Sequence, residues 1–539
     1  MAASQIVPSV LEQRLIDAVE QGIVLDLAGD DPVDETVMQS WDSPDRTIRA
    51  EVIRDIVLGR FAAEPDPRGL RLRGVLVAGR IDLQNVTRDF RVELVECFLP
   101  GGLLLRDTCL PTLVLSGSWI APPPGSSSPA IDALRLTAKA MVLAWVRVTS
   151  VSDRGSIDLS GANLGLLTCT GARLENTVGP ALHADLLRVD QGMVLRDGFT
   201  AIGTSNDSTI QLRGAHLGHL DCSGAWLENA AGPALHADGL QVDQDLFLRG
   251  GFTAIGTSDL GTVQLRGARL GLLDCSGARL ENTAGAALVA DLLQVDRSVF
   301  LRDGFTATGA GDQGVIQLGG ARIGGTLWLD TGNTRSAGPR HETLVDLDGT
   351  TYTGMPKPGS LERWLRLLRE HTPAYAAQPY QQLAAADRAA GHDHEVRGIL
   401  MAQRRDQIHR GAITGSDRTW ARITGLTLGF GYQPWRALLL LLVVLLISVT
   451  AALFAGHHGG LAHTGRTATD GTACSALELI GVGLDLGTPL LKTGARDQCA
   501  PTPTTVGRAL TAAGWLLQAL AWAFAALFIA GFTGVVRKT

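Results

Sequence analysis

Cysteine and histidine are the residues in this chain that could do metal or redox chemistry, and their spacing decides how they are read. Cys169, Cys222 and Cys275 fall 53 residues apart, His183 and His236 share another such position, and His216, His219 and Cys222 have a spacing that suits a metal. A zinc site needs three or four such ligands around one ion. The counterparts of His216 and His219 are Asn163 with Leu166 and Arg269 with Leu272, and Val289 takes the third place in the series of His183 and His236, so structural roles are predicted and no metal ligand is assigned. The three cysteines suit small inward-facing core positions. GAGDQG, with Gly309, Gly311 and Gly314, has dinucleotide-loop spacing, but the strand-like VIQL follows where a helix is required, so it reads as a repeat turn. The chain holds no C-x-x-C pair, P-loop, H-E-x-x-H or G-x-S-x-G motif, and no catalytic residue, cofactor or metal is predicted. Cys474 and Cys499 stand apart: they lie between two apolar runs, in a segment predicted to face away from the cytoplasm, and a disulfide between them is predicted, with two separate free thiols as the alternative.

What must position these residues is a repeat. GANLGLLTCTGARLEN begins at Gly161, GAHLGHLDCSGAWLEN at Gly214, GARLGLLDCSGARLEN at Gly267 and GARIGG at Gly320, a gapless period of 53. Within a unit, Leu240, Val242, Leu246 and Leu248 alternate with Gln241, Asp243 and Arg249, which is strand periodicity with one buried face. A unit that cannot bury its apolar face alone must stack, and the expected fold is mainly a β solenoid: a right-handed parallel β-helix over residues 65–355. Leu265, Leu270, Cys275 and Leu280 also recur at five, like a degenerate pentapeptide repeat. One unit is expected to hold two to three coils, with a protruding loop at TAIGTSNDST. Strands stack at ~4.8 Å, so residues 53 apart cannot be direct neighbours.

Helical caps are expected at the ends of the solenoid. In residues 1–64, Ser9 with Glu12 reads as a capping box, and Ser43 with Pro44 is expected to open a second helix through Ile48, Val52 and Ile56. Residues 360–412 read as a helical hairpin turning at Gly391, and residues 413–436 as a basic juxtamembrane segment. Two uncharged runs, 437–455 and 509–536, are long enough to cross a ~30 Å hydrocarbon core as a two-helix transmembrane hairpin, joined by a loop at 456–508. From Arg397 to Arg436 seven arginines stand against Asp406 and Asp417, so both termini are expected in the cytoplasm. Arg404, Arg405, Arg410, Arg418, Arg422 and Arg436 form the candidate site for anionic lipid head groups. The first residues lack a basic patch followed by an apolar run, so no signal peptide is expected.

RTIRAEVIRDIVLG, the GARLGLLDCSGARL units, HTPAYAAQPYQQLAAADRAAGHDHEVRGILMAQRRD and GFGYQPWRAL together resemble a bacterial family of membrane-anchored, pentapeptide-like repeat proteins, across nearly the whole chain. Its members often carry the name membrane-associated oxidoreductase, so the resemblance implies that label and the bacterial inner membrane. The residues themselves point elsewhere. With 45% hydrophobic residues, 64 glycines and a net charge of -7, the chain is too apolar for disorder and too acidic for a dedicated nucleic-acid binder. The expected function is a non-enzymatic scaffold presenting an extended face to a protein partner that the sequence does not name. A two-span oligomeric pore or sensor, in which CSALELIGVGLDLG dips back into the membrane, is the alternative, and the sequence also allows a homo-oligomer.

Overall fold

The computed structural model describes residues 7–29, 33–62, 64–123, 125–337, 344–411, 415–463, 472–488 and 493–538. The chain divides into two compact units between His392 and Asp393.

The first unit is a parallel β-solenoid of about 11 turns. Its strands line up in three all-parallel sheets. Leu164 pairs with Val189, Val189 with Leu217, Leu217 with Val242 and Val242 with Leu270, so successive coils advance by 25 and 28 residues in alternation. Two unlike coils therefore make one 53-residue unit. A square coil of four pentapeptides would close after 20 residues; here the five-residue series Leu265, Leu270, Cys275 and Leu280 is buried throughout, but the coil closes later. The core is a column of inward side chains, with Phe199, Phe252 and Phe305 at one position of the unit and each fully buried. Gly214 (φ 61°) turns the chain in the left-handed region at a corner where Leu186 approaches: a Cβ there would meet Leu186 Cδ2 at 3.1 Å.

Two local expectations are corrected. The segment TAIGTSNDST is a loop only in its middle, where Thr204, Asn206 and Asp207 are exposed: Thr200–Gly203 is a strand, Ser208 and Thr209 are buried, and Thr209 Oγ1 donates to Glu228 O at 2.7 Å. The inward Ala201 makes this run a rung of the second sheet. Ser43 caps only a short 3-10 turn, Pro44–Arg46, after which Thr47–Arg49 is a strand and the helix begins at Ala50. Ile48, fully buried opposite Val77, starts the second sheet, so helical spacing here yields to the first rung.

The ends are closed by helices. Val10–Gln21 carries the Ser9–Glu12 capping box, and Glu12 also binds Arg49 at 2.6 Å. At the far end, from the helix Ala377–Ala389, Gln378 Nε2 donates to Thr350 O at 2.8 Å and Gln382 Nε2 to Tyr352 O at 2.6 Å. These amides satisfy carbonyls that the last coil would otherwise leave unpaired.

The second unit is helical. Asp393–His409 and Gly415–Leu428 precede two helices long and apolar enough to cross a membrane, Trp435–His457 and Thr505–Thr533. Only 22% and 17% of their apolar windows are buried within the chain, unlike core helices of a soluble domain. Between them lie a short antiparallel pair, Leu461–His463 with Cys499–Pro501, and the helix Ala476–Gly487.

Candidate functional site

The densest polar constellation of the solenoid runs along its third sheet. Register places Asp132, Asp158, His183, Gln211, His236, Gln264 and Val289 in one column. The carboxylates of Asp132 and Asp158 are almost wholly buried, held by Arg106 at 2.6 Å and Arg154 at 2.5 Å. His183 Nε2 lies 3.4 Å from Asp185, which also binds Arg213 at 2.6 Å. Burial opposes ionisation of Asp185, but hydrogen bonds from His183 and Arg213 outweigh it and hold its carboxyl at about 2. Burial likewise disfavours the His183 cation, and Asp185 and Asp158 more than offset this, so the imidazole titrates above its ordinary value. A carboxylate ionised down to such low pH donates no proton near neutrality. The column stores balanced charge, and Val289 ends the histidine series with an apolar side chain.

The other histidines go separate ways. His216 Nε2 binds Asp243 at 2.9 Å, His219 Nδ1 meets the carbonyl of Gln191 at 2.9 Å, and Cys222 is buried in the core. Cys169 and Cys275 are buried too; burial pushes the Cys169 thiol up to about 12, and those of Cys222 and Cys275 upward as well. Such thiols are poor nucleophiles and poor ligands. Gly309 ends a strand, Thr306–Gly309, and the strand Ile316–Gln317 follows the GAGDQG turn.

One recurrent group was not singled out in the sequence. Asn176, Asn229 and Asn282 are buried at the same position of each unit. Asn229 Nδ2 donates to the carbonyls of Ser205 (2.9 Å) and Pro233 (2.8 Å), and its Oδ1 accepts the N–H groups of Ala231 and Gly232, both at 2.9 Å. The signal was present as the triplet LEN, repeated three times.

In the second unit, Cys474 and Cys499 are joined by a disulfide, with their Cα atoms 6.4 Å apart. Cys499 sits opposite His463 in the antiparallel pair, and His463 Nε2 lies 3.2 Å from Glu478, whose carboxylate caps its own helix by accepting the N–H of Ser475 at 2.8 Å. His463, Cys474, Glu478 and Cys499 thus bring four ligand atoms within 4.8 Å of one another. With the two sulfurs bonded, only His463 and Glu478 remain as donors, and they are engaged with each other.

The six arginines are unequal. Arg404, Arg405 and Arg422 are exposed, and Arg410, Arg418 and Arg436 are half-buried. Arg410 Nε lies 3.2 Å from the buried Asp406, so its charge is balanced within the helix Asp393–His409 and its C-terminal turn.

No protein-family model, curated protein or solved structure matches this chain.

Proposed function

We propose that the protein is a membrane-anchored scaffold: a cytoplasmic solenoid held at the bacterial inner membrane by two spans, both termini in the cytoplasm, offering its repeated face to a protein partner. The observation that carries this reading is a surface that repeats with the fold. Arg173 with Glu175, Trp226 with Glu228 and Arg279 with Glu281 stand at one position of successive units, each pair in contact, at 2.5, 3.2 and 2.6 Å. Such periodic display over an extended surface is what solenoids lend to recognition. Between Gly161 and Gly319 the chain has 17 acidic and 10 basic residues, which favours a partner with a basic face. The exposed Arg404, Arg405 and Arg422 then have anionic lipid head groups as their natural counterions.

The test is cross-linking of the tagged chain in cells, followed by identification of the protein joined to it. Removing residues 214–266, which takes out Trp226 and Glu228 and shortens the display by one unit, should weaken that cross-link while the chain stays in the membrane fraction. An unchanged cross-link, or a chain released by alkaline carbonate, overturns the reading.

A further inference from the structure

The helix Gly415–Leu428, which precedes the first long apolar helix, turns an apolar stripe outward: Trp420, Ile423 and Leu426 are 62, 45 and 76% exposed, with Arg422 exposed beside them. A helix of this kind next to a span lies in the head-group layer, its apolar stripe against the acyl chains and its cations towards the phosphates. Between it and the helix Asp393–His409 opens a pocket of about 310 Å³, the size of a small ligand site. Ile408, Leu428 and Phe430 give this pocket apolar walls, Trp420 adds an indole, and Arg404 and Gln407 supply a polar side.

Phe430 is held in place against its own preference. Its backbone is left-handed, at φ 59° and ψ 25°, a conformation that a bulky L-residue rarely adopts. Gly425 makes room for the ring, since a Cβ there would meet Phe430 Cζ at 2.6 Å. Strain of this kind gathers at ligand clamps. Phe430 also stands only five residues before Trp435, where the first apolar helix begins, so the pocket lies at the level where the chain enters the membrane. Charge completes the site. Arg404 Nη1 donates to Gln407 Oε1 at 2.9 Å, which fixes the guanidinium at the pocket and leaves its other N–H groups to a ligand. Arg410 is balanced by the buried Asp406, whereas no carboxylate pairs with Arg404 among the described residues. A guanidinium presents its donors in a fork that fits phosphate oxygens. An apolar wall, an indole and one unbalanced guanidinium at membrane level together match an amphiphile whose phosphate adjoins its acyl chains.

We infer that this pocket binds one anionic phospholipid, its phosphate on Arg404 and the upper part of an acyl chain against Ile408 and Phe430. The inference rests on the membrane anchoring proposed above, and it makes a single defined site out of what would otherwise be a diffuse basic surface.

The test uses the full chain in detergent micelles, titrated with phosphatidylglycerol or with phosphatidylcholine of the same acyl chains and weighed by native mass spectrometry. Wild type should retain one phosphatidylglycerol about tenfold more tightly than phosphatidylcholine. Arg404→Gln should remove that preference, while Arg397→Gln, an exposed arginine two turns away on the same helix, should keep it. Phe430→Gly relieves the left-handed backbone and takes away the ring, so it should weaken the hold on both lipids by about tenfold. Excess inorganic phosphate should leave the lipid in place; displacement by it would mean a simple anion site and overturns the lipid. Equal retention of the two lipids by wild type overturns the charge recognition, and equal loss of preference in Arg404→Gln and Arg397→Gln overturns the pocket in favour of a diffuse surface. Binding untouched by Phe430→Gly overturns the placement of the acyl chain. A chain released by alkaline carbonate fails the anchoring, whereas one that stays in the membrane and shows no preference fails the pocket alone.

Discussion

One buried asparagine in each of three units, Asn176, Asn229 and Asn282, holds the turn that follows its strand. Asn229 closes four hydrogen bonds with backbone groups, three of them buried, so Asn229→Ala should cost about 3 kcal/mol by stranding the buried ones, read as a lower melting temperature. Leu248 is fully buried, and Leu248→Asp should cost at least about 4 kcal/mol, because the new carboxylate finds no partner among inward side chains. Asp243→Asn should be nearly silent: that side chain is 65% exposed and gives up only a surface pair with His216. Equal melting of the two variants would show the faces to be reversed. Glu12 is the pH-sensitive member of the N-terminal cap. Burial works against its charge, but hydrogen bonds from Arg49, Ser9 and the Arg49 backbone prevail and lower its pKa from 4.5 to about 2. A depressed folded pKa stabilises above the unfolded value, and that contribution drains away as pH falls from 4.5 towards 2. Discounted for the half-exposed Arg49, the effect is about 2 kcal/mol. Wild type should therefore outmelt Glu12→Gln at pH 7 and lose that advantage as pH falls from 4.5 to about 2, as thermal scans of both across that range will show.

At the scale of elements, the coil is less legible than the unit. The 53-residue period is written in side chains, while the coil is set by where parallel strands close their hydrogen bonds; the 25-residue and 28-residue coils share little sequence, so nothing in residue identity marks their boundary. The same cause misplaces Ile48, whose spacing from Val52 and Ile56 suits a helix but whose partner, Val77, is supplied from outside the local sequence. Chemistry-bearing residues were easier. Cys169, Cys222 and Cys275 read as core from their spacing because stacking distance alone separates them, and the inward column holds them. The packing of Ala476–Gly487 back along Trp435–His457 was not legible in the sequence, since twelve mostly apolar residues fit an interfacial helix as well as a re-entrant one. The disulfide above that helix closes 25 residues and should contribute about 3 kcal/mol in the chain-entropy model. A membrane-impermeant maleimide applied to intact spheroplasts should label the chain only after reduction; labelling without reduction rejects the bridge.

For the whole molecule, the two-coil unit is the quantum of length. Deleting residues 214–266 joins positions that are already equivalent, so the shortened chain should fold, keep its three sheets, and lose about 10 Å of solenoid at ~4.8 Å per coil, measurable by electron microscopy. Deleting 40 residues from the same place breaks the register and should leave an aggregating chain. Stability in such arrays is a sum over neighbours, so the shorter solenoid should melt only modestly lower. The gapless 53-residue spacing of the units also governs how the coding sequence can change length. Three nucleotides per residue make any exchange between aligned units an in-frame event. Each such event would add or remove two closed coils at once, with the buried asparagine of the unit already in place. A solenoid of this kind can therefore lengthen or shorten by whole steps without passing through a chain that cannot fold.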